Sequence, residues 1–260
     1  MAKHNHIQLN KSLGQHFLTD EGVLQEIYDA ILHHTEDLPL LEVGPGAGAL
    51  SKYLKAKEAY KLVEYDKRWV EHLQEEFPEL EGKVIQADFL QSKPSDFFDK
   101  PFAVVGNFPY NISSQIVFKI IDYKDDVPVM LGMFQKEMAR RICASPGSKE
   151  FGIISVLTQL YFETEYLFDV SMEAFNPPPR VVSGVMVMKR RKKDFSVDPI
   201  FFKKMVKLAF NQRRKTLRNS LKQYLSNPKI KELEIFNLRP EQLSLDGFIN
   251  LSNMLESQNK

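Results

Sequence analysis

The sequence predicts an α/β fold on a mostly parallel sheet, from three observations. Short apolar runs alternate with amphipathic stretches between residues 38 and 134. A glycine-rich turn follows the first run. The next three runs end in residues that bind polar ligands: Glu64, Asp88 and Asn107. Strand, helix, strand at this rhythm gives βαβ units, and ligands of such sheets sit beyond the strand carboxyl ends.

The strands are read at "LPLLEVG" (38–44), "YKLVEYD" (60–66), "KVIQAD" (83–88), "FAVVGN" (102–107) and "VPVMLGMF" (127–134). Helical faces lie between them: Leu50, Tyr53 and Leu54; then Trp69, Val70, Leu73 and Phe77; then Ile116, Val117, Ile120 and Ile121. After residue 150, "LTQLYFETEYLFDV" and "SGVMVMKR" read as longer β segments, paired at one sheet edge. The stretch "PIFFKKMVKLAFNQRRKTLRNSLKQYL" reads as helical, with Phe202, Met205, Val206 and Ala209 on one face and Leu217, Leu221 and Leu225 on another. A boundary near residue 190 gives two domains, 1–190 and 191–260.

Composition narrows the function. The 260 residues are 43% hydrophobic, enough for a sizeable core. No apolar run is long enough to span a bilayer, and the N-terminus lacks the apolar segment of a signal peptide. The single cysteine, Cys143, excludes an internal disulfide framework, and a cytoplasmic location is expected. Cys143 lies among Met138, Ala139 and Ile142, which suits an inert thiol. The histidines have neither partner cysteines nor HExxH spacing, so no metal is expected. The net charge of +1 hides an asymmetry. Residues 189–222 hold thirteen Lys and Arg against Asp194 and Asp198, a segment of +11 on a remainder of −10. A polyanionic partner accounts for such segregation better than a solvated face does.

"LEVGPGAGALS" (41–51) is strand, turn, helix, with Gly44, Gly46 and Gly48 as G-x-G-x-G. Alone it fits any tight strand-to-helix turn. With Glu64 about twenty residues on, it fits a nucleotide whose ribose hydroxyls meet an acid. The nicotinamide fingerprint G-x-G-x-x-G has its third glycine one residue later. Asp88 adds an acceptor for an adenine amino group, or a helix cap.

"GNFPY" (106–110) then suits a flat base bearing an amino group. That nitrogen is a poor nucleophile because its lone pair is delocalised into the ring. Two acceptors on its two hydrogens hold it towards tetrahedral geometry and free the lone pair. The Asn107 side-chain oxygen is one, and a backbone carbonyl, with Phe108 the candidate, is the other. Pro109 fixes the turn, and Tyr110 offers a stacking face. The target base has to be single-stranded or flipped out of a helix.

These motifs resemble the S-adenosylmethionine-dependent rRNA adenine N6,N6-dimethyltransferases, above all the small-subunit enzymes linked to kasugamycin resistance. The resemblance runs over nearly the whole chain: "KSLGQHFL" (11–18), "LEVGPGAGALS", "VEYD", "QADF", "GNFPYNIS", "FQKEMARRI" (134–142), "PGSKEFGIISVLTQ" (146–159), "FNPPPRVVSGV" (175–185) and "AFNQRRKTLRNSL" (209–221). It implies a class I methyltransferase: a Rossmann-like, seven-stranded sheet with the last strand antiparallel, followed by a small helical C-terminal domain that binds rRNA. It implies S-adenosyl-L-methionine as donor, released as S-adenosylhomocysteine. The implied cofactor contacts are His16, Leu18, Gly44, Gly46, Glu64, Asp88 and Asn107. The implied contacts of the target adenine are Asn107, Phe108, Pro109 and Tyr110, with Phe175 as a second aromatic. The implied RNA contacts are Arg213, Arg214, Lys215 and Arg218. His16 stands where many bacterial members have Asn, Phe108 where many have Leu, and Arg180 where many have Lys. The implied substrate is a pair of adjacent adenosines in the 3′-terminal hairpin of small-subunit rRNA, within an immature subunit and acted on by a monomer. The macrolide-resistance type of large-subunit methyltransferase shares the adenine pocket, but "QRRKTLRNSL" favours the small-subunit type. A non-catalytic assembly factor would have lost Asp88 or Asn107, and both are present.

Overall fold

The computed structural model describes residues 16–257. Residues 11–15 of the "KSLGQHFL" motif lie outside them. In chain order the elements are β1 (Phe17–Leu18), α1 (Glu21–Thr35), β2 (Leu40–Val43), α2 (Ser51–Leu54), β3 (Tyr60–Glu64), α3 (Lys67–Glu76), β4 (Val84–Gln86), β5 (Ala103–Asn107), α4 (Ser113–Asp122), β6 (Val129–Gln135), α5 (Lys136–Ile142), α6 (Ile153–Gln159), β7 (Phe162–Val170), β8 (Phe175–Asn176), β9 (Ser183–Arg190), α7 (Pro199–Asn211), α8 (Leu217–Ser220), α9 (Pro228–Lys231) and α10 (Leu245–Glu256).

Seven strands form one sheet in the order β4-β3-β2-β5-β6-β9-β7. The first five run parallel, and β9 runs antiparallel to β6. Both faces are covered, so strands such as β5 read as unbroken apolar runs; Ala103, Val104 and Val105 are fully buried. The chain winds from β2 outwards to β3 and β4, then restarts at β5 on the other side of β2. That reversal opens a crevice beyond the carboxyl ends of β2 and β5. A separate two-stranded ribbon pairs Phe17 with Asn176 and Leu18 with Phe175.

The sheet agrees with the expectation of a seven-stranded methyltransferase fold. Three details differ. Leu157–Gln159 were expected in a strand, yet they end helix α6, and β7 starts only at Phe162. The run from Ile153 to Leu157 is apolar with one serine and carries no clear period, so helix and strand look alike in it. Gly152 settles the matter locally: its N–H donates to Ser155 Oγ at 3.0 Å and starts the helix. The basic stretch also departs from one continuous helix. Helix α7 ends at Asn211, and Lys215 N donates to Gln212 O at 2.7 Å in the turn that follows.

The third difference concerns domains. The chain forms two compact units. One holds the described residues up to Ala139 with Thr164–Arg190; the other holds Arg140–Glu163 with the described residues from Arg191. The expected break after residue 190 is one crossing, but residues 140–163 group with the second unit. Their aromatic and polar contacts explain this. Phe151 meets the ring of Phe210 at 6.3 Å, Phe210 stacks on Phe248 at 5.8 Å, and Gly147 N donates to Glu241 O at 2.6 Å.

Candidate active site

The crevice forms a cavity of about 290 Å³, close to the ~300 Å³ at which small-molecule sites begin. It is built from four strand ends and the ribbon strand β1. His16, Leu18, Gly44, Gly46, Glu64, Asp88, Asn107, Phe108, Pro109 and Tyr110 all line it.

The glycine turn after β2 needs glycine for two reasons. Gly44 and Gly46 have φ of +70° and +53°, in the left-handed region. A Cβ on Gly46 would also stand 3.1 Å from the Phe17 ring. Glu64, at the end of β3, is 8% exposed. Its carboxylate accepts from Gly46 N at 3.1 Å and from Asp66 N at 2.8 Å. Burial raises its pKa, against the pull of the Asp66, Gly46 and Tyr65 backbone groups. Glu64 therefore ties the glycine turn as well as facing the cavity. Asp88 Oδ1 accepts from Leu90 N at 2.8 Å, closing an Asx turn after β4.

The "NFPY" turn closes the other side. Phe108 N donates to Met133 O at 3.1 Å, and its fully buried ring lies 4.9 Å from Phe134. Pro109 packs over the glycine turn, where a Cβ on Gly44 would meet its Cδ at 3.7 Å. Asn107 Nδ2 donates to His16 O over a long 3.5 Å, which leaves Oδ1 as the acceptor end of the amide. Tyr110 OH bonds Ser183 Oγ at 2.6 Å, and burial raises its pKa. Its ring stacks with His16, centroids 6.2 Å apart and planes 24° from parallel.

One residue expected at the site lies apart from the others. Phe175 is 3% exposed and sits in the hydrophobic core beside Leu18, its register partner. It is not among the residues that line the cavity. Further residues line the cavity beside the expected contacts. Phe17 lines the cavity and braces its ring on Trp69 at 5.0 Å. Buried Glu42 lines it too, accepting from Ser51 Oγ at 2.8 Å and from Tyr60 OH. Tyr65, 67% exposed, stands at the rim. The acid before the glycines was visible in the sequence; nothing local marked Ser183 as a partner of Tyr110.

The basic residues divide into two kinds. Arg214 and Lys215 are exposed. Arg213 Nη2 donates to Lys149 O at 2.6 Å, and Arg218 is tied to Lys231 O and, at 2.9 Å, to Asn237 Oδ1. Among the described residues no group of three or more His, Cys, Asp and Glu stands together to hold a metal, and no helix is long and apolar enough to cross a membrane.

Five parallel strands with β9 inserted antiparallel between β6 and β7, a glycine turn after β2 and an acid at the end of β3 make the arrangement of a class I methyltransferase. Two solved structures share the fold: a dimethyladenosine transferase from Plasmodium falciparum (TM-score 0.80, 22% identity, 94% of this chain and 98% of that one) and the 23S rRNA methyltransferase ErmE (TM-score 0.69, 27% identity, 91% and 99%). Among curated proteins, ribosomal RNA small subunit methyltransferase A of Bacteroides fragilis is 50% identical, over 96% of this chain and 93% of its own length. The protein of the same name from Flavobacterium johnsoniae is 48% identical, over 96% and 97%. Residues 6–255 match the family described as ribosomal RNA adenine dimethylase, and the chain belongs to that family. Its methyl donor is S-adenosylmethionine.

Proposed function

We propose that the chain dimethylates N6 of two adjacent adenosines in the 3′-terminal hairpin of small-subunit (16S) rRNA, late in subunit assembly. The observation that carries this reading is the convergence of Asn107, Pro109 and Tyr110 on the glycine turn inside one cavity. The relatives at about half identity, all bearing the small-subunit name, support the choice of subunit.

The cavity's residues fit the donor. Gly44 and Gly46 hold the left-handed turn, and Gly46 leaves room where a Cβ would crowd Phe17; Glu64 offers carboxylate oxygens to ribose hydroxyls, and Asp88 offers an acceptor to an adenine amino group. His16 and Leu18 line the same cavity from β1. When bound, S-adenosylmethionine supplies the methyl group on a sulfonium centre and leaves as a neutral thioether.

The protein's part is orientation. Asn107 Oδ1 and the Phe108 carbonyl accept from the two amino hydrogens and free the nitrogen lone pair. Pro109 holds that carbonyl in place, and Tyr110 stacks on the base, a contact worth roughly 1–3 kcal/mol. Fixing a nucleophile at attack geometry supplies much of a bimolecular rate enhancement. In the second transfer the nitrogen keeps one hydrogen, so only one acceptor remains engaged.

The basic helical unit, with its exposed Arg214 and Lys215, docks the rRNA phosphates of an immature subunit. The enzyme acts as a cytoplasmic monomer. Labelled methyl transfer tests the whole reading: small subunits lacking the modification are compared with naked rRNA and with large subunits. Transfer to the small subunits alone is expected. Transfer to large-subunit rRNA instead would favour the reading in which ErmE is the nearer guide.

A further inference from the structure

Helix α4 is tied to two loops of the site at once. Its first residue holds the "NFPY" turn, since Ser113 Oγ donates to Tyr110 O at 3.0 Å. Nearly two turns on, Lys119 Nζ donates to Leu90 O at 2.7 Å. Leu90 lies two residues past Asp88 in the loop after β4, and both line the cavity. Lys119 is half-buried and is not among the residues that line the cavity. Helical side chains lean back over the preceding turn, towards the helix N-terminus, and this gives Lys119 its reach to the loop.

The bonds that Asp88 makes set the shape of this loop. Asp88 O accepts from Gln91 N and Ser92 N at 3.0 Å and from Ser92 Oγ at 2.8 Å, and Asp88 Oδ1 accepts from Leu90 N. All of these close within five residues, so they do not fix where the loop stands against its neighbours. The Lys119 bond does, because it comes from another element and its donor is charged. The ammonium is itself held, 5.8 Å from the Phe89 ring centroid and 4.9 Å from that of Tyr123. Burial lowers the Lys119 pKa, and the charges of Asp88, Asp122 and Asp96 oppose that shift, so Asp88 stands within electrostatic reach. At the far end of the same loop Lys61 Nζ donates to Phe97 O at 2.5 Å, at a residue that is not among those lining the cavity.

We propose that Lys119 is a positioning residue for methyl transfer: it holds the Leu90 carbonyl from the helix that also holds the "NFPY" turn, and so sets the Asp88 loop where the adenine end of the donor rests. This rests on the donor site proposed above, with Asp88 at the adenine amino group. The role belongs to the ammonium and not to the stem, whose methylenes only pack on Phe89 and Tyr123.

The test uses the full chain and small subunits lacking the modification. Lys119→Met keeps an apolar stem and removes the ammonium, while Lys119→Arg keeps a charged donor. Steady-state transfer gives kcat and KM for donor and for subunits, and thermal unfolding follows the fold. Lys119→Met is expected to raise the donor KM roughly 10-fold, the low end for losing a hydrogen bond to a charged group. Its kcat at saturating donor and its KM for subunits should stay within about threefold of wild type, and Lys119→Arg should recover most of the donor KM. Lys61→Met should lower the melting temperature and leave the donor KM unchanged. A wild-type donor KM in Lys119→Met would overturn the proposal. So would a Lys119→Arg variant as damaged as Lys119→Met, or the same rise in donor KM from Lys61→Met. Asp88→Ala separates this from the underlying reading. Lys119→Met should add little to the donor KM of Asp88→Ala, and fully additive losses would place its action elsewhere. If Asp88→Ala leaves the donor KM unchanged, the donor site itself is misplaced. If Asp88→Ala raises it and Lys119→Met does not, only the role of Lys119 fails.

Discussion

The backbone N–H of Gly46 donates to Glu64 Oε2 at 3.1 Å, so the second strand end holds the turn that follows the first. An acid placed to meet ribose hydroxyls is also a clamp on the glycine turn. Glu64→Ala is therefore expected to weaken S-adenosylmethionine binding by two routes, by on the order of 1.5–3 kcal/mol. Glu64→Gln, which keeps an acceptor oxygen for Gly46, should lose less. Calorimetry on both variants measures this, and equal losses would leave the clamp without an energetic role.

Glu42 gives a pH signature of stability. Burial raises its pKa from 4.5 to about 7, against the hydrogen bonds from Tyr60 and Ser51 and with help from the nearby charge of Glu64. The folded state thus holds this proton more tightly than the unfolded chain does. Its contribution is full below pH 4.5 and is lost as pH rises through 7. The difference between wild type and Glu42→Gln should slope by up to about 1.4 kcal/mol per pH unit within that window and flatten above it. Denaturant unfolding from pH 4.5 to 8 reads the slope; a constant difference would mean that Glu42 is ionised throughout.

Asn107→Ala should lower single-turnover transfer at saturating donor and saturating subunits far more than it lowers subunit affinity, because its contact matters most in the transition state. An expected loss of 10²-fold or more corresponds to about 2.7 kcal/mol. Mass spectrometry of the product should show monomethyladenosine accumulating if the Asn107 oxygen is the acceptor kept for the second transfer. Wild-type transfer rates in this variant would rule out the orienting role.

Tyr110→Phe keeps the stacking ring but removes the partner of Ser183, which is buried. Most activity should survive, with a stability cost on the order of 1 kcal/mol for the stranded hydroxyl. Tyr110→Ala should lose most activity. The pair is read by transfer assay and thermal unfolding together.

The basic unit should respond unevenly. Arg214→Gln with Lys215→Gln is expected to reduce the salt dependence of subunit binding by about one unit of log–log slope per lost phosphate contact. Arg213→Gln should act on folding instead, since Arg213 holds the Lys149 carbonyl; a loss on the order of 1 kcal/mol is expected. Salt titrations and melting curves on both variants separate the two kinds of residue. An equal salt slope for the double variant and wild type would leave these charges solvated.

The sheet and one wall of the site were legible because their chemistry is local and ordered. Gly44, Glu64, Asp88 and Asn107 each follow an apolar run, and a parallel sheet gathers strand ends by topology alone. The misread parts depend on distant pairing. Phe175 looks like an available aromatic in "FNPPP", and only its register with Leu18 buries it. The His16–Tyr110 pair joins residues whose neighbours in sequence carry no sign of each other. The run from Ile153 to Leu157 is apolar whichever element it forms, so residues 157–159 passed for strand. Arg213 and Arg218 also hold backbone carbonyls, which composition does not show.

The ribbon pairing of Leu18 with Phe175 also bears on how the protein is made. Residues near the start of the chain complete the pocket only by meeting residues that leave the ribosome long afterwards. A contact of such sequence separation forms slowly and late in folding. The nascent chain therefore carries the glycine turn and the "NFPY" turn well before it has β8 to hold His16 in front of Tyr110. A truncated chain ending before Phe175 would have the sheet's first strands but no partner for β1 beside the cavity, so methyl transfer waits for nearly the whole first unit to be synthesised.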